Sequence, residues 1–485
     1  LRSPHANARI ISIDVNKAVR LTGVLAALTG TDYFEAGLGN ITCATMFPQL
    51  MDGQKGIQHP YGALVKDYVK CVGAPVVFVI AETLEAAKDA AELVEVNYEA
   101  LPAVTSTVQA ASKDAPLVWE GTNSNEAFTF KIGNSEDVED AITKSPNVIR
   151  VSIANNRVNT NSMEPRASIG IYDGGTEKYT LFTSNQAPNR ARQDIAGDIL
   201  MIPEAKLQVI SPDVGGGFGM KGVYYSEDIL VLWGAKITGR PVKWVGERLE
   251  SFLSDSHGRD VLADCEMAIE DDGQITAFRV YANYNVGAYL NPGAGVSPMD
   301  FSELLSGVYA IPAVSVTTRS LFSNMGSTAP YRGAGRPEAA FVLERVLDIA
   351  SRQLSINSVE IRRRNLVQAH NMPYQTILGP LLDCGNFEAI MDKALNVSDW
   401  SSFNARKQET EARGKLRGRG IAMYLESAAP FNDRMELRFD SGGDITIIAG
   451  THSHGQGHET VYSQMIAEFL GMPYERIYLL QGDTD

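Results

Sequence analysis

Three stretches of this sequence set glycine beside residues able to bind or activate a ligand. Residues 215–222, Gly-Gly-Gly-Phe-Gly-Met-Lys-Gly, contain G-x-G-x-x-G from Gly217 to Gly222, the spacing of a dinucleotide-binding loop. Tyr331-Arg332-Gly333-Ala334-Gly335-Arg336-Pro337 is the second, and Gly450-Thr451-His452-Ser453-His454-Gly455-Gln456-Gly457-His458 the third. Each falls between a predicted strand and a predicted helix. For the first, the strand is 207–214 and the helix 223–238; for the second, Pro337 suits the first helical turn. Glycine lets backbone approach a ligand closely, and a helix start offers free N–H groups to an anion. Three such loops predict one large ligand carrying phosphates or other oxyanions, held between domains. The competing reading is three plain structural turns.

A nicotinamide dinucleotide is the first alternative. Its fingerprint belongs in the opening strand–helix–strand unit, with an acidic residue about twenty positions on. Glu247 stands near that distance, but Gly215-Gly216 and the bulky Phe218 do not fit, and no repeating parallel unit flanks the loop. An NAD-dependent dehydrogenase is therefore kept as an alternative only. His452, His454 and His458 invite a metal, and on a strand His452 and His454 would share a face. No acidic partner or second histidine cluster completes a ligand set, so no direct metal ligand is assigned. G-x-S-x-G and Walker motifs are absent. Asp255, His257 and Asp260 read as turn residues with local hydrogen bonds, and Glu164 with Arg166 as a structural ion pair. Gln186, between a strand and a helix beginning near Pro188, can donate to an oxo or carbonyl group.

These loops need elements to hold them, and the chain reads as α+β. Residues 1–105 form a small unit with a strand at Ala8–Asp14, a buried strand at 75–81 and a helix at 83–92. Val94, Val96 and Tyr98 then alternate with Glu95, Asn97 and Glu99, the period of a half-buried strand. The two strand–helix–strand halves look alike. Residues 106–147 read as a connector, without periodicity to about 134 and helical over 135–143. Strands dominate 148–385, with a hairpin over 265–285 turning at Asp271-Asp272-Gly273. A polar linker covers 395–419, and the unit at 386–485 ends with a strand at 444–449 and a helix at 459–470 closed by Gly471.

The 485 residues carry 43 basic and 58 acidic side chains, a formal charge of −15, which excludes broad attraction to nucleic acid. Arg362-Arg363-Arg364 reads as a solvated helix face. The longest apolar stretch, 74–81, is far too short to span a bilayer. Cys43, Cys71, Cys265 and Cys384 are isolated, without zinc or iron–sulfur spacing, as expected of a reduced cytoplasmic protein. A first residue other than Met, and an end at Asp485 directly after a strand-like run, are expected of a piece of a longer chain.

In sequence order, the stretches at 163–166 (MEPR), 215–219 (GGGFG), 240–244 (RPVKW), 257–260 (HGRD), 331–336 (YRGAGR) and 455–460 (GQGHET) resemble the large subunit of the molybdenum hydroxylases, the xanthine dehydrogenase and aldehyde oxidase family. The resemblance covers essentially the whole chain. It implies a hammerhead domain over 1–105, a first molybdopterin-binding domain over 148–385, and a second one, truncated, over 386–485. It implies that Gln186, Gly217, Phe218 and Gly219 face the metal, that Arg332 flanks it, and that Gly455, Gln456, Gly457 and His458 meet the pterin. The implied cofactor is molybdenum-molybdopterin cytosine dinucleotide, with the metal held by the pterin. The implied partners are an iron–sulfur subunit with 2Fe-2S clusters and an FAD subunit, in a dimer of heterotrimers. The general base, a glutamate, would lie beyond Asp485. Copper-containing carbon monoxide dehydrogenases of this family carry a cysteine where Gly333 stands, so aldehydes and N-heteroaromatics are expected substrates beside a carbon monoxide-like one. A non-catalytic scaffold subunit is the remaining alternative.

Overall fold

The computed structural model describes residues 1–43, 56–426 and 433–485. Its N-terminal unit interleaves the two similar halves. The outer strands Ala8–Asp14 and Glu95–Ala100 pair antiparallel, and the inner strands Val24–Thr29 and Val77–Ala81 pair with each other. Thr83 caps the helix Leu84–Glu92 by accepting from the Ala86 N–H.

The largest sheet has five strands in the order Glu126–Gly133, Ala313–Phe322, Ile275–Gly287, Val261–Ile269, Asn147–Asn155. Its central strands are rich in Val, Ile, Phe and Ala because both faces are covered. The helix Arg336–Gln353 buries Val342, Leu343, Val346 and Leu347 against it. Two elements revise the sequence expectation. Glu126–Gly133, inside the expected connector, is a full edge strand of this sheet. The expected polar linker contains the helix Phe403–Glu411, with the Arg419 guanidinium lying over the Trp400 and Phe403 rings.

A second sheet orders Leu207–Ile210, Lys178–Thr183, Ala167–Asp173 and Val242–Val245. The helix Ser226–Thr238 lies on it, buried from Glu227 through Ala235. Gly170 permits that contact, since a Cβ there would stand 2.3 Å from the Val231 carbonyl oxygen. The last unit pairs Met435–Phe439, Ile445–Ala449 and Ile477–Leu480. It joins the second sheet through Ser211 N–H to the Gly482 carbonyl at 2.7 Å and Thr484 N–H to the Val209 carbonyl at 3.1 Å.

Buried charge ties these units together. Arg166 donates to Glu227 at 2.6 Å and to Asp255 at 2.7 Å, and stacks on Tyr225 at 3.8 Å. Arg2, from the N-terminal unit, pairs with Glu227 and Glu250. Burial acts to raise the Glu227 pKa, but Arg166 and Arg2 outweigh it and hold the carboxylate at about 2. Arg362, expected on a solvated face, is instead fully buried and pairs with Glu344 at 2.7 Å and Asp348 at 3.0 Å. A buried guanidinium needs such partners, because an unpaired one would carry its full desolvation cost.

Glu227→Gln leaves Arg166 and Arg2 with one carboxylate fewer. Urea unfolding should show a loss of about 3–5 kcal/mol. In the wild type the contribution of Glu227 is complete above its ordinary value of 4.5 and disappears as pH falls toward about 2. The gap between wild type and variant should therefore narrow on acidification.

Candidate functional site

Two neighbouring parallel strands carry the first wall. Lys178–Thr183 runs into Gln186, and Leu207–Ile210 runs toward the glycine loop, so both leave the sheet at the same edge. Ligands of α/β sheets collect at such carboxyl ends. The loops interlock there. Gly219 N–H donates to Gln186 Oε1 at 2.7 Å, and Gln186 N–H donates to the Lys221 carbonyl at 2.8 Å. A Cβ at Gly217 would stand 2.2 Å from the Gln186 side chain. At Gly219 it would stand 2.4 Å from the Pro330 carbonyl oxygen, on a backbone with φ of +92°. Phe218 between them also has positive φ, at +55°, and is 41% exposed. Its carbonyl accepts from Arg332 N–H at 2.9 Å, which brings the second loop against the first. The Arg332 guanidinium lies 5.9 Å from the Phe218 ring.

Charged residues brace these loops from behind. The Glu164 carboxylate accepts from Gly215 N–H and from Lys221 Nζ, both at 2.7 Å. Lys221 is buried, which lowers its pKa against the pull of Glu164. Arg259 donates to the Tyr331 carbonyl at 2.8 Å, to Glu338 at 3.0 Å and to the Arg332 carbonyl at 3.0 Å. Glu164 and Arg166 thus serve different partners, not each other. Asp255 and Asp260 depart from the expectation of local bonding, whereas His257 keeps a local contact to the Phe252 carbonyl at 3.3 Å. Asp255 pairs with Arg166, while Asp260 and His257 both meet Arg157, at 2.7 and 3.3 Å.

The third loop forms the opposite wall. His454 N–H donates to Gln456 Oε1 at 2.6 Å, and Gln456 Nε2 lies 3.0 Å from His454 Nδ1. Gln186 Nε2 reaches the same Nδ1 at 3.5 Å, so Gln186 and Gln456 converge on one ring from two domains. His452 and His454 lie in a loop, not on a strand, with rings 5.4 Å apart and nearly perpendicular. The ring of His458 stacks on Tyr462 at 4.9 Å. Among the described residues no group of three or more His, Cys, Asp or Glu could hold a metal ion.

The expectation of three anion-binding helix starts is revised to one. The first helix begins only at Ser226, and Asp228 accepts from the Tyr225 N–H at 2.9 Å at its start. The second is closed by Glu338, which accepts from Gly335 N–H at 3.0 Å. These carboxylates already occupy the positive helix ends. The dinucleotide reading of Gly217–Gly222 thereby loses the helix start that would bind its pyrophosphate. The third helix, His458–Leu470, follows Gly457 with no side-chain cap and no carboxylate bonded to its leading amide, although Glu459 lies in its first turn.

These features suit an extended, anionic, hydrogen-bonding ligand. Gly217 and Gly219 let the first loop pack on Gln186 and Pro330, Gln186 and Gln456 bring side-chain amides together from two loops, and the helix His458–Leu470 begins next to Gln456 without a side-chain cap. His452 Nδ1 and His458 Nδ1 are buried without a partner among the described residues.

Comparison with known proteins identifies the ligand. Residues 118–366 and 393–485 match the molybdopterin cofactor-binding domain, and 1–102 match the aldehyde oxidase and xanthine dehydrogenase a/b hammerhead domain. The chain belongs to the molybdopterin cofactor-binding family. It is 32% identical to the carbon monoxide dehydrogenase large chain of Afipia carboxidovorans, over all of this chain and 62% of that one. It is 30% identical to the nicotine 6-hydroxylase large subunit of Paenarthrobacter nicotinovorans, covering 60% of it. Among solved structures it resembles quinoline 2-oxidoreductase from Pseudomonas putida 86, with a TM-score of 0.90 at 30% identity over all of this chain and 62% of that one. This molybdopterin-binding chain thus spans about three fifths of the length of these relatives.

Sequence reading singled out Gln186, the glycine loops and Arg332, and the structure brings these together. It missed Lys221 and Arg259 as braces, and it weighed His454 as a metal candidate and otherwise only as near the cofactor or structural. The available signals were charges set inside or next to glycine loops: Lys221 within the first, Arg259 in the turn that meets the second.

Gly219→Ala should disrupt this wall without touching its side chains. Positive φ and the Pro330 carbonyl both oppose a Cβ, at a cost of roughly 1–3 kcal/mol for the backbone alone. Molybdenum per purified chain should fall at least severalfold while the N-terminal unit stays folded by circular dichroism.

Proposed function

We propose that this chain is the molybdenum-cofactor-binding catalytic subunit of a hydroxylase acting on a small organic substrate. The observation that carries the reading is the contact network in which the 215–219 loop bonds Gln186 and the Arg332 backbone, and Gln186 and Gln456 meet at the His454 ring across two molybdopterin-binding domains. Bound there, the cofactor supplies two-electron redox chemistry that hydroxylates an electron-poor carbon with oxygen from water. The chain's own residues orient it. Gln186 and Gln456 each keep an amide N–H beyond the one turned to His454, and the open start of His458–Leu470 takes a phosphate.

The cofactor on this reading is the cytosine dinucleotide form. Gly217, Phe218, Gly219, Gln186 and Arg332 face the metal side, and Gly455, Gln456, Gly457 and His458 face the pterin and its phosphates. Electrons leave to an iron–sulfur subunit and an FAD subunit, in a cytoplasmic dimer of heterotrimers. The general base is a glutamate from polypeptide outside residues 1–485.

Gly333 narrows the substrate. A relative of known structure is a Cu,Mo-CO dehydrogenase. Gly333 offers no thiolate, and Cu(I) requires soft sulfur ligands. Its φ is +94°, and a Cβ would meet the Pro337 ring at 2.5 Å, so the loop has no room for a cysteine in this conformation. An aldehyde or N-heteroaromatic substrate fits this loop better than carbon monoxide.

Metal analysis of the native complex tests the reading. About one molybdenum per chain without copper is expected, with product oxygen drawn from labelled water. A fully assembled complex free of molybdenum would overturn it in favour of a scaffold subunit, and copper beside molybdenum would overturn the substrate assignment.

A further inference from the structure

The amide orientations at the groove are set by backbone donors. Gly219 N–H points at Gln186 Oε1 at 2.7 Å, so the NH₂ group of Gln186 must be the end turned to His454. His454 N–H points at Gln456 Oε1 at 2.6 Å, so the NH₂ group of Gln456 is likewise the end turned to the ring. Both amides then present N–H to the same atom, His454 Nδ1. A protonated Nδ1 would set three donors against one another. The ring must therefore be neutral, with its proton on Nε2.

We propose that His454 is a positioning residue, whose unprotonated Nδ1 gathers Gln186 of the first molybdopterin-binding domain and Gln456 of the second and so fixes how both amides face the cofactor. This rests on the function proposed above. The titratable and charged groups around the ring agree with it. His452 and His458 share its loop, and Lys221 approaches from the glycine loop. Burial, followed by the fields of those groups, lowers the His454 pKa to about 4. Spread between two domains, the arrangement couples the walls through a tautomer instead of through charge.

Hydrogen exchange tests this without the cofactor's chemistry. In the full complex, His454→Leu removes the acceptor, and Gln186 is no longer held to Gly219. Exchange across the 215–221 peptide should rise by roughly tenfold, the protection of about one hydrogen bond. His454→Asn offers a carbonyl oxygen close to where Nδ1 stood and should restore most of the protection. Unchanged exchange across the strand Lys178–Thr183 serves as the folding control. The Mo(V) electron paramagnetic resonance signal of dithionite-reduced complex should change in the Leu variant and revert in the Asn variant. Equal exchange in wild type and Leu variant, or no rescue by Asn, would overturn the positioning role. A wild-type complex without molybdenum would overturn the functional reading, while the exchange results would still decide whether His454 orders the two amides.

Discussion

A guanidinium taken out of water is the constraint around which this structure is arranged. Arg166 is 5% exposed, and its positive charge cannot leave by deprotonation. Carboxylates must come to it, and they come from different elements: Glu227 from the helix Ser226–Thr238 and Asp255 from the turn after Arg248–Ser254. Arg2 completes the set from the N-terminal unit. This requirement ties that unit to the helix Ser226–Thr238, which follows the 215–219 loop, and to the helix Arg248–Ser254. The same logic recurs at Arg362 and at Arg259, each of which pulls acidic partners into a domain interior.

The glycine loops depend on that frame. Their backbone is close-packed against neighbouring loops, and Glu164 and Glu338 bond their Gly215 and Gly335 N–H groups while pairing with Lys221 and Arg259. Between the loops stand amide groups, backbone N–H groups and an imidazole, with the Arg332 guanidinium beside the Phe218 ring.

Much of this was legible in the sequence. The three glycine loops, the helix closed by Gly471 and the hairpin over 265–285 follow from local chemistry, and local chemistry is what spacing records. The partners of buried arginines leave no such record, since Arg166 finds its carboxylates 61 and 89 residues away. Arg362 sits in a run of three arginines that local reading assigns to solvent. The strand Glu126–Gly133 escaped because Ala127, Phe128 and Thr129 are buried in succession, which erases the period of two. The helix Phe403–Glu411 buries only Thr410, so it offers no apolar face to detect. At the site, helix starts were read as open when two were already closed by carboxylates from their own first turns. The resemblance to molybdenum hydroxylases supplied the ligand's identity, which the glycine pattern alone left as an oxyanion.

The two walls of the groove meet where Gln186 faces His454, 268 residues further along the chain. Loop-closure entropy grows only with the logarithm of such a separation, so this distance costs the folded state little. It costs time. A chain made from its N-terminus can assemble the first wall, with Arg166 and the glycine loop in place, well before the second wall has been synthesised. For that interval the first wall stands open on one side, a half-built cleft waiting for its own distant sequence to arrive.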